Sequence, residues 1–180
     1  MAESNLLSAL SLRLFLPLAV ILALALFWQP EREILWNGSW IFKDCLKLQA
    51  NDASNCIGQY EFSIANTGEK SEHISVEWPM SLNGWSVDRK VLNLSADFKR
   101  ANDPDYSCNW EAEHAGCSID NFAPGTLLTI TLRCLMCELA ELETLDQQRP
   151  ALISEARVYK SDPRSTFLIR RLGFFISLLI

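Results

Sequence analysis

Histidine is scarce in this chain of 180 residues, with only His73 and His114. Both fall in polar stretches, Ser71-Glu72-His73 and Glu111-Ala112-Glu113-His114, and read as solvated loop residues with pH sensing as a minor role. With two histidines so far apart there is no His-pair zinc motif, and no serine stands in a nucleophile elbow. Basic residues are also few. From Glu31 to Pro163, 21 acidic residues stand against 12 basic ones, a balance of minus nine where the whole chain carries minus six. Such a surface repels phosphate backbones, which argues against nucleic acid as a partner. No internal repeat and no low-complexity linker divides the chain, so residues 31–163 are read as one domain with a single core.

What the chain does have is an apolar opening. Leu14, Phe15 and the residues on to Trp28 are interrupted only by Pro17, and polar residues Gln29 to Glu33 follow at once. With Leu6 to Leu12 the stretch reaches about 23 residues, roughly 34 Å as a helix, enough for a hydrocarbon core of about 30 Å. Residues 1–30 are therefore expected to be a transmembrane anchor that contacts membrane lipid, with Trp28 at the interface. The alternative is a signal peptide, since Ala23-Leu24-Ala25 offers small residues at a cleavage spacing. A second apolar stretch, Leu172 to Ile180, follows Arg170 and Arg171. Nine residues reach only about 14 Å as a helix, so residues 164–180 read as a membrane-associated segment or as part of a longer span.

Six cysteines lie between Cys45 and Cys137. An even number in an exported domain reads as a disulfide framework, which places residues 31–163 in the periplasm or cell exterior and the protein at the cell membrane. The simplest of the fifteen connectivities joins sequence neighbours: Cys45 with Cys56, Cys108 with Cys117, and Cys134 with Cys137. Cys108, Cys117, Cys134 and Cys137 could instead hold zinc, with His114 as a substitute ligand, although the spacing of the first pair is poor. Redox chemistry at Cys134-Leu135-Met136-Cys137 would need a βαβ setting, and here the motif closes a β-like run. The acidic stretch Asn102 to Tyr106, with Glu111, Glu113 and Asp120, offers oxygen ligands to calcium but lacks a regular ligand ladder, and reads as a solvated loop held by Cys108 and Cys117. No cofactor and no metal site is assigned.

Within residues 31–163 the dominant period is two. Tyr60, Phe62 and Ile64 share one face of a strand whose other face is largely polar. Asn66 to Lys70 makes a turn, Ile74 to Trp78 alternates again until Pro79, and Trp85 to Val87 and Val91 to Leu94 supply further short strands. After the turn at Pro124-Gly125, Leu128, Ile130 and Leu132 share a face with the threonines opposite. Trp36 to Phe42 begins the sheet, and Ala151 to Tyr159 gives one last strand. Leu135, Leu139, Leu142 and Leu145 follow helical spacing. The expected fold is all-β, a β-sandwich.

Tyr60-x-Phe62-x-Ile64-x-Asn66-Thr67-Gly68, then Ile74-x-Val76-x-Trp78-Pro79, then Phe122-Ala123-Pro124-Gly125 with Thr131-Leu132 resembles the Asn-Thr-Gly class of immunoglobulin-like repeats on bacterial surface proteins, over about residues 57–134. The resemblance implies an immunoglobulin-like fold and a binding or spacing role, and transfers no catalytic residue. The expected function is a non-enzymatic, membrane-anchored interaction module that binds another envelope or membrane protein. The alternative is an accessory or regulatory domain of a membrane transporter or channel, and an extracytoplasmic enzyme would need a pocket collecting His73 or His114 with carboxylates.

Overall fold

A computed structural model describes residues 32–47, 54–94 and 99–169, together with 17, 19 and 20. Pro30–Arg164 make up one compact unit, and the described residues 17, 19, 20 and 165–169 belong to a second. Leu14, Phe15, Trp28, Arg170 and Arg171 lie outside the described residues. Among those described, no helix is long and apolar enough to cross a membrane.

The strands are β1 (Glu33–Lys47), β2 (Ser54–Asn66), β3 (Glu72–Glu77), β4 (Ser86–Asn93), β5 (Lys99–Arg100), β6 (Asp105–Asn109), β7 (Gly116–Phe122), β8 (Thr126–Cys137), β9 (Ala151–Ser154) and β10 (Arg157–Lys160), with helix α1 (Leu139–Gln147) between β8 and β9. They form a larger sheet in the order β10-β1-β2-β8-β4-β5 and a smaller one in the order β6-β7-β3-β9. Among the described residues, only the pairing of β1 with β10 is parallel.

Alternation builds the core as the sequence leads one to expect. Tyr60, Phe62 and Ile64 of β2 and Leu128, Ile130 and Leu132 of β8 point inward, and Ile74, Val76 and Ile119 of the smaller sheet meet them in one buried cluster. Trp78 stands edge-on to both Phe62, at 5.9 Å between ring centres, and Trp110, at 5.3 Å. Each fully buried side chain of this size contributes about 1.5–3 kcal/mol. Arg89 of β4 lies 4.0 Å over the Tyr106 ring of β6, joining the two sheets along one side of the sandwich.

The Asn-Thr-Gly turn has a physical reason. Asn66 is fully buried; its Nδ2 donates to the carbonyls of Lys70, at 2.7 Å, and Phe122, at 2.6 Å, while its Oδ1 accepts from the N–H of Gly68 at 3.0 Å. One amide thus ties the turn after β2 to the end of β7. A carboxylate there could accept but not donate. Gly125 follows Pro124 with φ +71°, the left-handed conformation that glycine tolerates best.

The structure corrects several expectations. The second face of β2 and β8 is solvated only in part, because Ser63, Ala65, Leu127 and Thr129 are buried, with Ser63 Oγ 3.3 Å from Thr129 Oγ1, while Ile57 and Arg133 further along it are exposed. Trp85 to Leu94 holds one strand, β4, rather than two. The acidic stretch expected as a loop contains a hairpin, β6 and β7. Ala151 to Tyr159 is not one strand. The chain bends at Glu155 and Ala156, so that β9 joins the smaller sheet and β10 the larger. Arg32 holds this corner, with Nε 3.2 Å from Glu72 Oε1 and Nη1 3.1 Å from Glu155 Oε2.

Candidate functional site

The two sheets differ in length. β1, β2 and β8 run for 15, 13 and 12 residues, whereas the strands of the smaller sheet run for four to seven. At about 3.3 Å per residue the larger sheet extends well past its partner, leaving an overhang whose inner face needs another cover. Helix α1 supplies it. Leu142 and Leu145, three apart, put the buried stripe of the helix on one side, and a Cβ on Gly58 would lie 3.2 Å from Leu142 Cδ2 and 2.9 Å from the Trp40 ring. Glycine at 58 therefore permits the close approach of helix and sheet.

Polar contacts hold the helix in place. The Glu138 N–H donates to Glu141 Oε2 at 3.0 Å, which satisfies a backbone donor at the start of α1 and sets a negative charge near the positive end of the helix. Lys43 of β1 reaches Asp146 of α1 at 2.5 Å and passes 5.8 Å over the Trp40 ring. Trp40 in turn meets Tyr60 edge-on at 5.2 Å. Burial raises the pKa of the Tyr60 phenol, with the Arg149 charge opposing that shift and Asp146 adding to it.

Two of the three disulfides brace the overhang. Cys45 of β1 bonds Cys56, directly opposite on β2; Cys134 bonds Cys137 at the end of β8, where they face Gly58 and Cys56 in register. The Cys137 sulfur lies 3.5 Å from the Cys56 carbonyl oxygen, a contact without a proton, since a disulfide sulfur has none to give. The third, Cys108 to Cys117, crosses between β6 and β7 in the smaller sheet. All six sulfurs are thus in disulfides, which removes the zinc reading. Cys134 and Cys137 are each only 4% exposed, so the bridge is shielded from the thiolate attack that redox exchange requires.

The outer surface of this end is apolar. Leu135 and Met136, held between bridged cysteines, are 79% and 83% exposed; Ile41 and Phe42 of β1 are 55% and 49% exposed, and Ile57 of β2 and Leu139 at the head of α1 are open as well. Helical spacing had grouped Leu135 with Leu142 and Leu145, yet it belongs to β8 and faces solvent. A small disulfide ring prevents Leu135 and Met136 from folding back into the core, so their presentation is set before any partner arrives. The sequence pattern does not mark these residues as exposed. The one available signal was a pair of apolar residues enclosed by cysteines at a strand end.

Elsewhere the polar candidates stay apart. His73 lies in β3, not in a loop, and its Nδ1 is 2.6 Å from Asp120 Oδ1. A bulge brings them together: between Glu72 and Ile74 the register with β7 slips, Asn121 takes φ +53°, and Asp120 meets His73. Both side chains are more than half exposed. His114 is exposed in the bend between β6 and β7. Among the described residues, no group of three or more His, Cys, Asp and Glu side chains could hold a metal ion, the proposed calcium ligands included.

Comparison of the chain with models of protein families finds no match, and comparison with curated proteins finds none either. The likeness to the Asn-Thr-Gly repeats is carried by the turn and strand motifs alone.

Proposed function

We propose that this chain is a non-enzymatic, membrane-anchored module, immunoglobulin-like in fold, whose domain stands in the periplasm or cell exterior and binds another envelope or membrane protein. The observation that carries the reading is the cluster of open apolar residues on a disulfide-braced overhang, led by Leu135 and Met136. Scattered single apolar residues are ordinary on a surface, but several gathered at one end mark an interaction site. The bridges support an oxidising compartment, and the apolar opening supports attachment to the membrane.

Extraction of the full chain from its own membranes in mild detergent tests the reading. The wild-type chain should copurify with one protein in fixed proportion, and the pair L135S with M136S should lose at least tenfold of it while keeping the β-type circular dichroism. Elution of the wild-type chain alone would overturn the proposal.

A further inference from the structure

The edge of β1 is covered for only part of its length. β10 pairs with Glu33 to Trp36, the Ser161 N–H donates to the Trp36 carbonyl at 2.9 Å, and the chain turns helical from residue 163. Backbone groups along a strand alternate between its two edges. The carbonyls of Arg32 and Trp36 accept from the β10 side, at Arg157 and Ser161, whereas the Glu33 carbonyl accepts from Thr67 and Gly68 on the β2 side. Gly38 and Trp40 therefore aim their N–H and C=O at the open edge, past the point where β10 ends. Beyond the bulge between Trp40 and Phe42, Lys43 shares the face of Trp40 and continues the series. Among the described residues no strand pairs with this edge from Asn37 to Lys47. Ile41, Phe42, Lys43 and Asp44 are exposed in succession, where a covered strand would alternate.

We infer that this edge receives an extended segment of a partner protein as an added strand, in line with β10, and that the segment carries apolar and basic residues on one face, because Phe42 and Asp44 share a face of β1. The inference rests on the interaction-module reading and names how that module grips its partner. Added strands gain affinity from main-chain hydrogen bonds and specificity from alternate side chains. Here the pairing already made by β10 continues along the same edge, and Ile41 and Phe42 offer apolar contacts. Charge sets the other half of the pattern. Lys43 is neutralised by Asp146, Asp44 is exposed with no ion pair among the described residues, and the domain carries minus nine. A second copy of the chain fits poorly, because a twofold axis between Phe42 and Asp44 would bring Lys43 or Asp44 opposite or diagonal to its own duplicate.

The test uses the full chain in detergent micelles and a ten-residue peptide with valine and lysine in turn along one face and threonine at every second position, read by amide hydrogen exchange. The amides of Gly38, Trp40 and Lys43 should exchange at least tenfold more slowly with the peptide, and the same peptide with glutamate in place of lysine should protect them far less. Lys43→Pro deletes an edge N–H and should abolish the effect. Lys43→Ala loses the same ion pair but keeps that N–H, and should preserve it. Unchanged edge amides, or protection that survives Lys43→Pro, would overturn the inference. So would protection that appears without peptide and rises with protein concentration, which would make a second copy the occupant. The two failures are distinguishable: a chain that still copurifies with a membrane protein while its edge amides stay unprotected keeps the module reading and loses only the added strand.

Discussion

At the centre of the sandwich, Phe62 and Ile130 of the larger sheet look across at Ile74 and Ile119 of the smaller, so apolar burial supplies most of the cohesion. At the overhang, among the described residues, the inner face meets helix α1, and the outer face is exposed at Phe42, Ile57, Leu135 and Met136. Cohesion there comes from a close helix approach at Gly58, one ion pair, and two of the three disulfides. The contrast teaches where a small domain can spare apolar surface for a partner. A region that covalent bridges hold in shape can leave side chains open that a region held by burial must enclose.

Truncation at the centre should have the largest effect. Phe62→Ala removes a ring that packs on both Trp36 and Trp78, and chemical denaturation should report a loss of about 3–5 kcal/mol. An unchanged midpoint would erase the distinction between the regions. Gly58→Ala tests the overhang by forcing a Cβ against Trp40 and Leu142, with an expected cost of about 1–3 kcal/mol. Faster exchange should then be confined to β1 beyond Trp40 and to α1; equal loosening of β3 and β7 would show that both regions unfold as one unit.

Alkaline pH sharpens the comparison further. Because burial raises the Tyr60 pKa in the folded state, its contribution is fully present below the unfolded value of about 10 and is lost as pH rises through the folded value. Stability measured from pH 9 upward should therefore fall, and Tyr60→Phe should make that limb shallower. An identical slope in the variant would locate the alkaline sensitivity elsewhere. The smallest change belongs to Lys43→Ala. The ion pair is about half exposed on both sides, so its loss should cost about 1 kcal/mol or less.

Much of the fold is legible in the sequence, and particular residues show why. Alternation at Tyr60, Phe62 and Ile64 placed a core face because side chains on a strand have a fixed period. Pro124-Gly125 marked a turn because few other residues accept its backbone angles, and the disulfides follow the simplest of the fifteen connectivities, which spacing alone does not select. The candidate site was far less legible. Leu135 fits a helical period with Leu142 as well as it fits a strand, and nothing local shows that α1 begins only at Leu139. Ser63 and Thr129 look like solvent residues in any window of sequence, yet they are buried.

Sequence by itself determined the alternation, the turns and the cysteine spacing, because each depends on the conformational preferences of a few consecutive residues. Tertiary structure alone decided that the larger sheet outruns the smaller, that α1 caps one face of the excess, and that Ile41, Phe42, Leu135 and Met136 remain open on the other. Exposure is a property of what lies across from a residue, and those neighbours come from strands and a helix far away along the chain.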